Sequence, residues 1–194
     1  MMNSLGKDLL LISLLFSLTA LSAESSFDRC ENPQTIALIE RAKAVIDMIM
    51  YQNLATVDED GEAWIAPVYS AFDDKYNFYW KSSLTCQHSK NIRFKSNTFT
   101  SIYDSTVEEG TGFGVYMRGN SYQLEDKDIE EINHGIALME KRVHSSDLPP
   151  ASDCLFPFPR RVYKFVPQQI WVNAVVTWSC PFNTEQPNLL NMPA

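Results

Sequence analysis

The middle of this 194-residue chain switches repeatedly between strand and turn over short distances, and that rhythm constrains the fold more than any other feature. Leu54 to Val57 reads as a short strand, Asp58-Glu59-Asp60-Gly61 as a hairpin turn and Ala63 to Phe72 as a longer strand. Asp73-Asp74-Lys75 turns the chain into a third strand, Tyr76 to Lys81, so these three are expected to form an antiparallel meander. Thr98 to Asp104 and Val115 to Leu124 return to strand, with the acidic, glycine-containing loop Ser105 to Gly112 between them. Arg161 to Val166 and Gln169 to Val176 are expected as two last strands, broken by Pro167.

Helical periodicity interrupts this pattern in three places. Asn32-Pro33 has the form of an N-cap followed by proline at the first helical position. Ile36, Ile39, Lys43, Ile46 and Ile49-Met50 then mark a helix over roughly Pro33 to Tyr51. Ile92 and Phe94 are spaced for a short helix, and Asp126 to Val143 carries Ile129, Ile132, Ile136 and Met139 on one face. Leu148 to Pro159 holds four prolines and is a loop. Six or seven strands with two or three helices in one domain predict a small barrel of the α+β class.

Composition excludes some partners. Sixteen Lys and Arg against 24 Asp and Glu give a formal net charge of -8. Nucleic acid is therefore not the expected partner, because phosphate backbones need a positive face. Leu9 to Leu21 is an apolar run preceded by Lys7 and followed by Ala20, Ser22 and Ala23, the layout of a signal peptide over residues 1–23. Residues 24–194 are then the folded domain. Export to the periplasm or beyond is expected, with no stable membrane insertion once the leader is removed. Lys7 and Asp8 cancel, so the acidic charge belongs to the folded part. In that setting Cys30, Cys86, Cys154 and Cys180 allow one or two disulfides, in any of the possible pairings. No C-x-x-C motif and no Cys/His cluster points to zinc.

The richest polar segment runs from Trp80 to Asn91. It leaves a strand and enters a helix, where backbone N–H groups lack intrahelical acceptors. Lys90 and His88 would add charge, and Ser82, Ser83, Thr85 and Ser89 supply hydroxyls. That set suits a phosphate group, and equally a solvated loop with a helix cap. His134, on a helix of Glu and Lys, reads as a surface residue. No G-x-S-x-G elbow is present. Gly110-Thr111-Gly112-Phe113-Gly114 lies between strands and lacks the strand-then-helix setting of a dinucleotide fingerprint.

The order of segments is also informative. Leu54-Ala55-Thr56-Val57, Asp60-Gly61, Ala66-Pro67-Val68-Tyr69, Asn77-Phe78-Tyr79-Trp80, Ser82-Ser83 and His88-Ser89-Lys90-Asn91-Ile92 follow one another. Ser101-Ile102-Tyr103-Asp104, Met117-Arg118-Gly119, Tyr163-Lys164-Phe165-Val166-Pro167 and Ile170-Trp171-Val172-Asn173 complete the series. Over roughly Val45 to Val176 the chain resembles the pyridoxamine 5′-phosphate oxidase-like, FMN-binding split-barrel family.

The resemblance implies a six-stranded antiparallel split barrel with flanking helices, forming a homodimer with FMN at the interface. It implies that the strand Ala66–Ser70, with Pro67, Val68 and Tyr69, runs along the flavin ring. Trp80, Lys81, Ser82 and Ser83 would meet the ring and ribityl chain, and His88, Ser89, Lys90 and Asn91 the phosphate. The expected activity is that of a flavin-dependent oxidoreductase acting on a small substrate, with no catalytic residue assigned. Two family features are missing. No basic residue stands at Ile65-Ala66, where authentic oxidases place a phosphate-gripping arginine, and no arginine-histidine motif follows Ile170. Vitamin B6 oxidation is therefore not expected. The alternatives are a cofactor-free binding or interaction module of the same fold, or a haem-binding protein with His88 as ligand.

Overall fold

The computed structural model describes residues 33–143, 148–173 and 188–190. The leader, Cys30, His144, Cys180 and the part of the last expected strand beyond residue 173 lie outside them.

Helix α1 (Pro33–Met48) opens on the proline and turns Ile39, Ala42, Val45 and Ile46 inward, the 3-and-4 spacing that its sequence shows. The strands are β1 (Tyr51–Val57), β2 (Ala63–Tyr69), β3 (Ala71–Phe72), β4 (Phe78–Ser83), β5 (Asn97–Tyr103), β6 (Gly114–Gln123), β7 (Arg160–Val172) and the short β8 (Asn188–Leu190). Helices α2 (Gln87–Phe94) and α3 (Ile129–Val143) complete the set. The class is α+β. One curled antiparallel sheet runs in the order β2-β1-β5-β6-β7-β4-β3, seven strands along one path where six were expected, and β8 pairs with β7.

Three expectations about the strands are corrected. The run Ala63 to Phe72 is two strands, because the chain changes partner at Ser70: β2 pairs with β1, and β3 pairs with β4. The meander is therefore split, with β2 at one end of the sheet and β3 and β4 at the other. Curling brings the two ends together, and β2 touches β4. Pro167 does not break the last strand. It faces Gly119 across a bulge, where a missing ladder donor is tolerated and where a Cβ on Gly119 would stand 2.1 Å from the Val166 carbonyl oxygen.

Alternation along β4 and β7 divides the interior into two cores. Phe78, Trp80, Tyr163 and Phe165 face the barrel centre with Leu54, Met117 and Ile170. Tyr79 and Val162 face the other way, onto Ile132, Ile136 and Met139 of α3. Gly135 lets α3 sit close, since a Cβ there would be 2.8 Å from the Tyr79 ring. Each large apolar side chain so buried contributes about 1.5–3 kcal/mol. Lys81 follows Tyr79 by two positions and so shares the α3 side of β4.

Candidate functional site

Where the two ends of the sheet meet, α3 covers a cleft of about 430 Å³. Pro67, Val68 and Tyr69 of β2 form one wall, and Lys81 and Ser82 of β4 with His88 of α2 form another. Met139 and Val143 of α3, Leu148 and Pro149 of the following loop, and Arg160 of β7 close it. Pro67 is accommodated because β2 is an edge strand, paired among the described residues with β1 alone. Six residues singled out in the sequence thus come together: Pro67, Val68, Tyr69, Lys81, Ser82 and His88.

The other five lie elsewhere. Trp80 is fully buried in the barrel core, stacked on Tyr163 with ring centroids 5.6 Å apart. Ser83 ends β4 and exchanges a hydrogen bond with Thr85 Oγ1 at 2.9 Å. On α2 successive side chains turn by about 100°, so four consecutive residues fan around the axis and cannot all meet one anion. Ser89 points into the core. Asn91 is spent on structure: its amide donates to Thr56 Oγ1 at 3.0 Å and accepts from Gln87 Nε2 at 2.8 Å. Lys90 is exposed beside a hollow of about 230 Å³ that also holds Asp58, Glu59 and Asp60.

Within the cleft the polar groups fall into two sets. His88 Nε2 and Ser82 Oγ are 2.8 Å apart, with the donor set by the tautomer. Burial lowers the pKa of His88, so the ring is neutral near pH 7 and supplies no charge. The positive charge comes instead from Lys81 and Arg160. Lys81 Nζ is inaccessible and has no hydrogen-bond partner among the described residues. Burial, opposed by Cys154 and reinforced by Arg160, lowers its pKa. Arg160 stands on β7 opposite Ser83, which delivers its side chain to the same cleft. The neighbouring Arg161 is committed to the chain itself, donating to the carbonyls of Phe158 and Arg160 at 2.6 and 2.7 Å.

Sequence reasoning missed Arg160 and the α3 and loop walls. The only signal for Arg160 was a basic pair at the start of a strand, and its position depends on which strand β4 pairs with.

A larger hollow of about 660 Å³ lies between the end of α1, the 73–76 turn and α3. Arg142 there donates from one nitrogen to the carbonyls of Ile46, Asp47 and Ile49, closing the helix end, while stacking on Phe72. Its charge is spent on structure. Among the described residues Cys86 and Cys154 are free thiols and are not bridged to one another; the other two cysteines of the expected disulfides, Cys30 and Cys180, lie outside the described residues. Among the described residues no cluster of His, Cys, Asp and Glu fits a metal, and no helix is long and apolar enough to cross a membrane.

An orphaned ammonium beside a guanidinium, hydroxyl and imidazole donors, and an apolar wall fit a ligand with an anionic end and a flat apolar body. Several solved structures share the fold. An FAD-binding protein of Mesorhizobium loti superposes with a TM-score of 0.51 at 16% identity, covering 69% of this chain and 91% of that one. An F420 reductase gives 0.50 at 18%, covering 66% and 94%. A haem-binding protein of Mycobacterium smegmatis gives 0.56 at 15%; 69% of this chain is covered, and it spans about half of that longer one (52%). The chain thus has the split-barrel fold of the pyridoxamine 5′-phosphate oxidase-like type. No family model and no curated protein sequence matches it.

Proposed function

We propose that this chain is an exported, homodimeric split-barrel protein that binds FMN in the cleft and works as an oxidoreductase on a small substrate. The observation that carries the reading is the meeting of Pro67–Tyr69, Lys81, Ser82 and His88 around one cavity, although they come from β2, β4 and α2. A flavin held there supplies hydride or electron transfer, and the protein supplies orientation and electrostatics. The edge strand β2 offers a flat wall, and backbone groups on its open side have no ladder partner among the described residues. Neutral His88 and Ser82 orient one another and give an uncharged polar contact. Met139, Val143, Leu148 and Pro149 limit water on the opposite side.

The dimer reading rests on the outward face of β2, β1 and β5. Tyr51 and Ile65 are 58% and 67% exposed, and Tyr69, Phe99 and Tyr103 share their face by register. Such an apolar sheet face is unusual on a monomer.

A haem reading would ask His88 either to give up the Nε2 hydrogen bond to Ser82 or to turn Nδ1 into the cleft as iron ligand. The flavin reading is therefore preferred. Titrating the purified chain with FMN while following the visible spectrum tests it. The expected result is a perturbed flavin band with saturable binding; absence of any binding would overturn the proposal. Ile65→Glu with Phe99→Glu is expected to give a monomer in analytical ultracentrifugation, and an unchanged dimer would remove that part.

A further inference from the structure

Four consecutive apolar residues stand in solvent between α3 and β7. Phe156, Pro157, Phe158 and Pro159 are all exposed, and exposed Arg160 follows them. Phe156, at 78%, is the most exposed large apolar side chain among the described residues. Such a run is a liability in a folded domain unless something covers it. The loop that carries it is not slack. Upstream, Cys154 is buried, and Leu148, Ala151 and Leu155 pack on the α3 core. The Phe156 N–H donates to both carboxylate oxygens of Asp126 at 3.3 Å, and the Phe158 N–H to the Leu155 carbonyl at 2.8 Å. Arg161 Nη1 donates to the Phe158 carbonyl at 2.6 Å, and the Leu84 N–H to the Pro159 carbonyl at 2.8 Å. The two prolines fix φ between these anchors. The backbone is tied to the domain while both rings remain in solvent.

Charge narrows what covers the rings. Arg160 follows them directly, and Arg93 of α2 donates to the Leu84 carbonyl at 3.2 Å, on the residue whose N–H holds Pro159. Both arginines are exposed, and neither forms an ion pair among the described residues. The carboxylates close by in the chain contacts are already engaged: Asp126 accepts from the Phe156 N–H, and Asp153 from the Ser152 hydroxyl at 3.3 Å. In a chain of net charge -8, two unneutralised arginines beside exposed rings are a local reversal of sign. Rings flanked by basic residues suit the boundary of an anionic bilayer, where rings enter the acyl edge and guanidinium groups meet headgroup phosphates. A second copy of the chain has another surface to use, the face of β2, β1 and β5, and the run belongs to none of those strands.

We propose that Phe156 and Phe158, with Arg160 and Arg93, dock this domain peripherally on an anionic lipid surface. The ordered backbone presents the rings without a further ordering cost, as a preformed contact does. The acidic body limits the contact: its repulsion is screened beyond a Debye length of about 8 Å, so close approach is tolerated only with the rings and arginines leading. Two rings and two arginines give a reversible association, well short of insertion. The proposal rests on neither the flavin nor the dimer reading.

The test is co-sedimentation of the mature chain, residues 24–194, with vesicles of phosphatidylcholine alone or mixed with phosphatidylglycerol at about 3:1. Starting at residue 24 keeps the apolar run Leu9 to Leu21 from binding lipid by itself. The wild type is expected on the anionic vesicles, less on phosphatidylcholine alone, and less again at high salt. Phe156→Ser combined with Phe158→Ser should weaken binding about 100-fold, and Arg160→Gln about 5-fold. Trp64→Ser removes an exposed ring from β2 and should change binding by less than about twofold. All four positions are exposed, so melting temperatures should stay within about 2 °C of the wild type and show that the variants fold. No binding of the wild type to anionic vesicles overturns the proposal, as does binding that the double variant keeps. Loss of a dimer in the double variant also overturns it, by assigning the rings to a contact between copies.

Discussion

Two lysines on the β4–β7 ladder, both on its α3 side, show how differently one residue type is used. Lys164 stands opposite Tyr79, and Lys81 lies two rungs away on the neighbouring strand. Lys164 Nζ reaches Glu131 of α3 at 2.8 Å and lies over the Tyr79 ring at 5.5 Å. The same carboxylate accepts the Tyr79 hydroxyl at 2.5 Å, so every member of that group is satisfied. Lys81 has no such partner among the described residues. The first arrangement is a strut that pins α3 to the sheet. The second is a buried ammonium with no hydrogen-bond partner among the described residues, a group that calls for an ordered water, an ion or a ligand.

The largest expected effect is on the strut. Tyr79→Ala removes a fully buried ring from under α3 and should cost about 3–5 kcal/mol in urea denaturation. A loss below about 1 kcal/mol would mean that α3 docks without it. Glu131→Gln is smaller: Glu131 is partly exposed, so solvent screens the pair, and about 1 kcal/mol is expected. Lys81→Met should have the opposite sense. With an unpaired buried charge replaced by an apolar chain of similar length, the ligand-free protein should be unchanged or stabilised by up to about 1 kcal/mol. A clear destabilisation would show that Lys81 is a second strut and would erase the contrast.

The smallest effects are in pH dependence, and they separate the two lysines by sign. Hydrogen bonds from Lys164 and then Tyr79 hold the Glu131 carboxyl below its ordinary value of 4.5. Its folded pKa is depressed, so its contribution is present above the unfolded value and is lost as pH falls through the folded one. Lys81 is lowered from 10.5, mainly by burial. Between its folded and unfolded values the unfolded chain holds the extra proton, so stability rises with pH in that window. Melting temperature against pH should lose its acid-side fall in part in Glu131→Gln, and its alkaline rise in part in Lys81→Met. An alkaline rise undiminished in Lys81→Met would assign it to another group.

Much of the fold was legible locally. Period and turn chemistry located α1, α3, β5 and β6 to within a few residues, because those signals reside within each segment. Pro167 misled for an instructive reason: a proline in a strand is a breaker unless the partner strand bulges, and the permission comes from Gly119, 48 positions earlier in the sequence. The candidate site was half legible. The sequence picked out Lys81, Ser82 and His88 as a polar cluster, yet it grouped them with Lys90 and Asn91, which the turn of α2 sends elsewhere.

The sequence by itself determined the elements, the acidic balance and the segments from which a ligand cleft could be built, since each depends on neighbours along the chain. Only the tertiary structure decided which cation faces the cleft. Arg160 is 79 positions from Lys81, and nothing local distinguishes it from Arg161. Strand pairing and alternation do: register places Arg160 at the cleft, while its neighbour turns to its own carbonyls. The charge of a site is a sum over space, and folding chooses its terms.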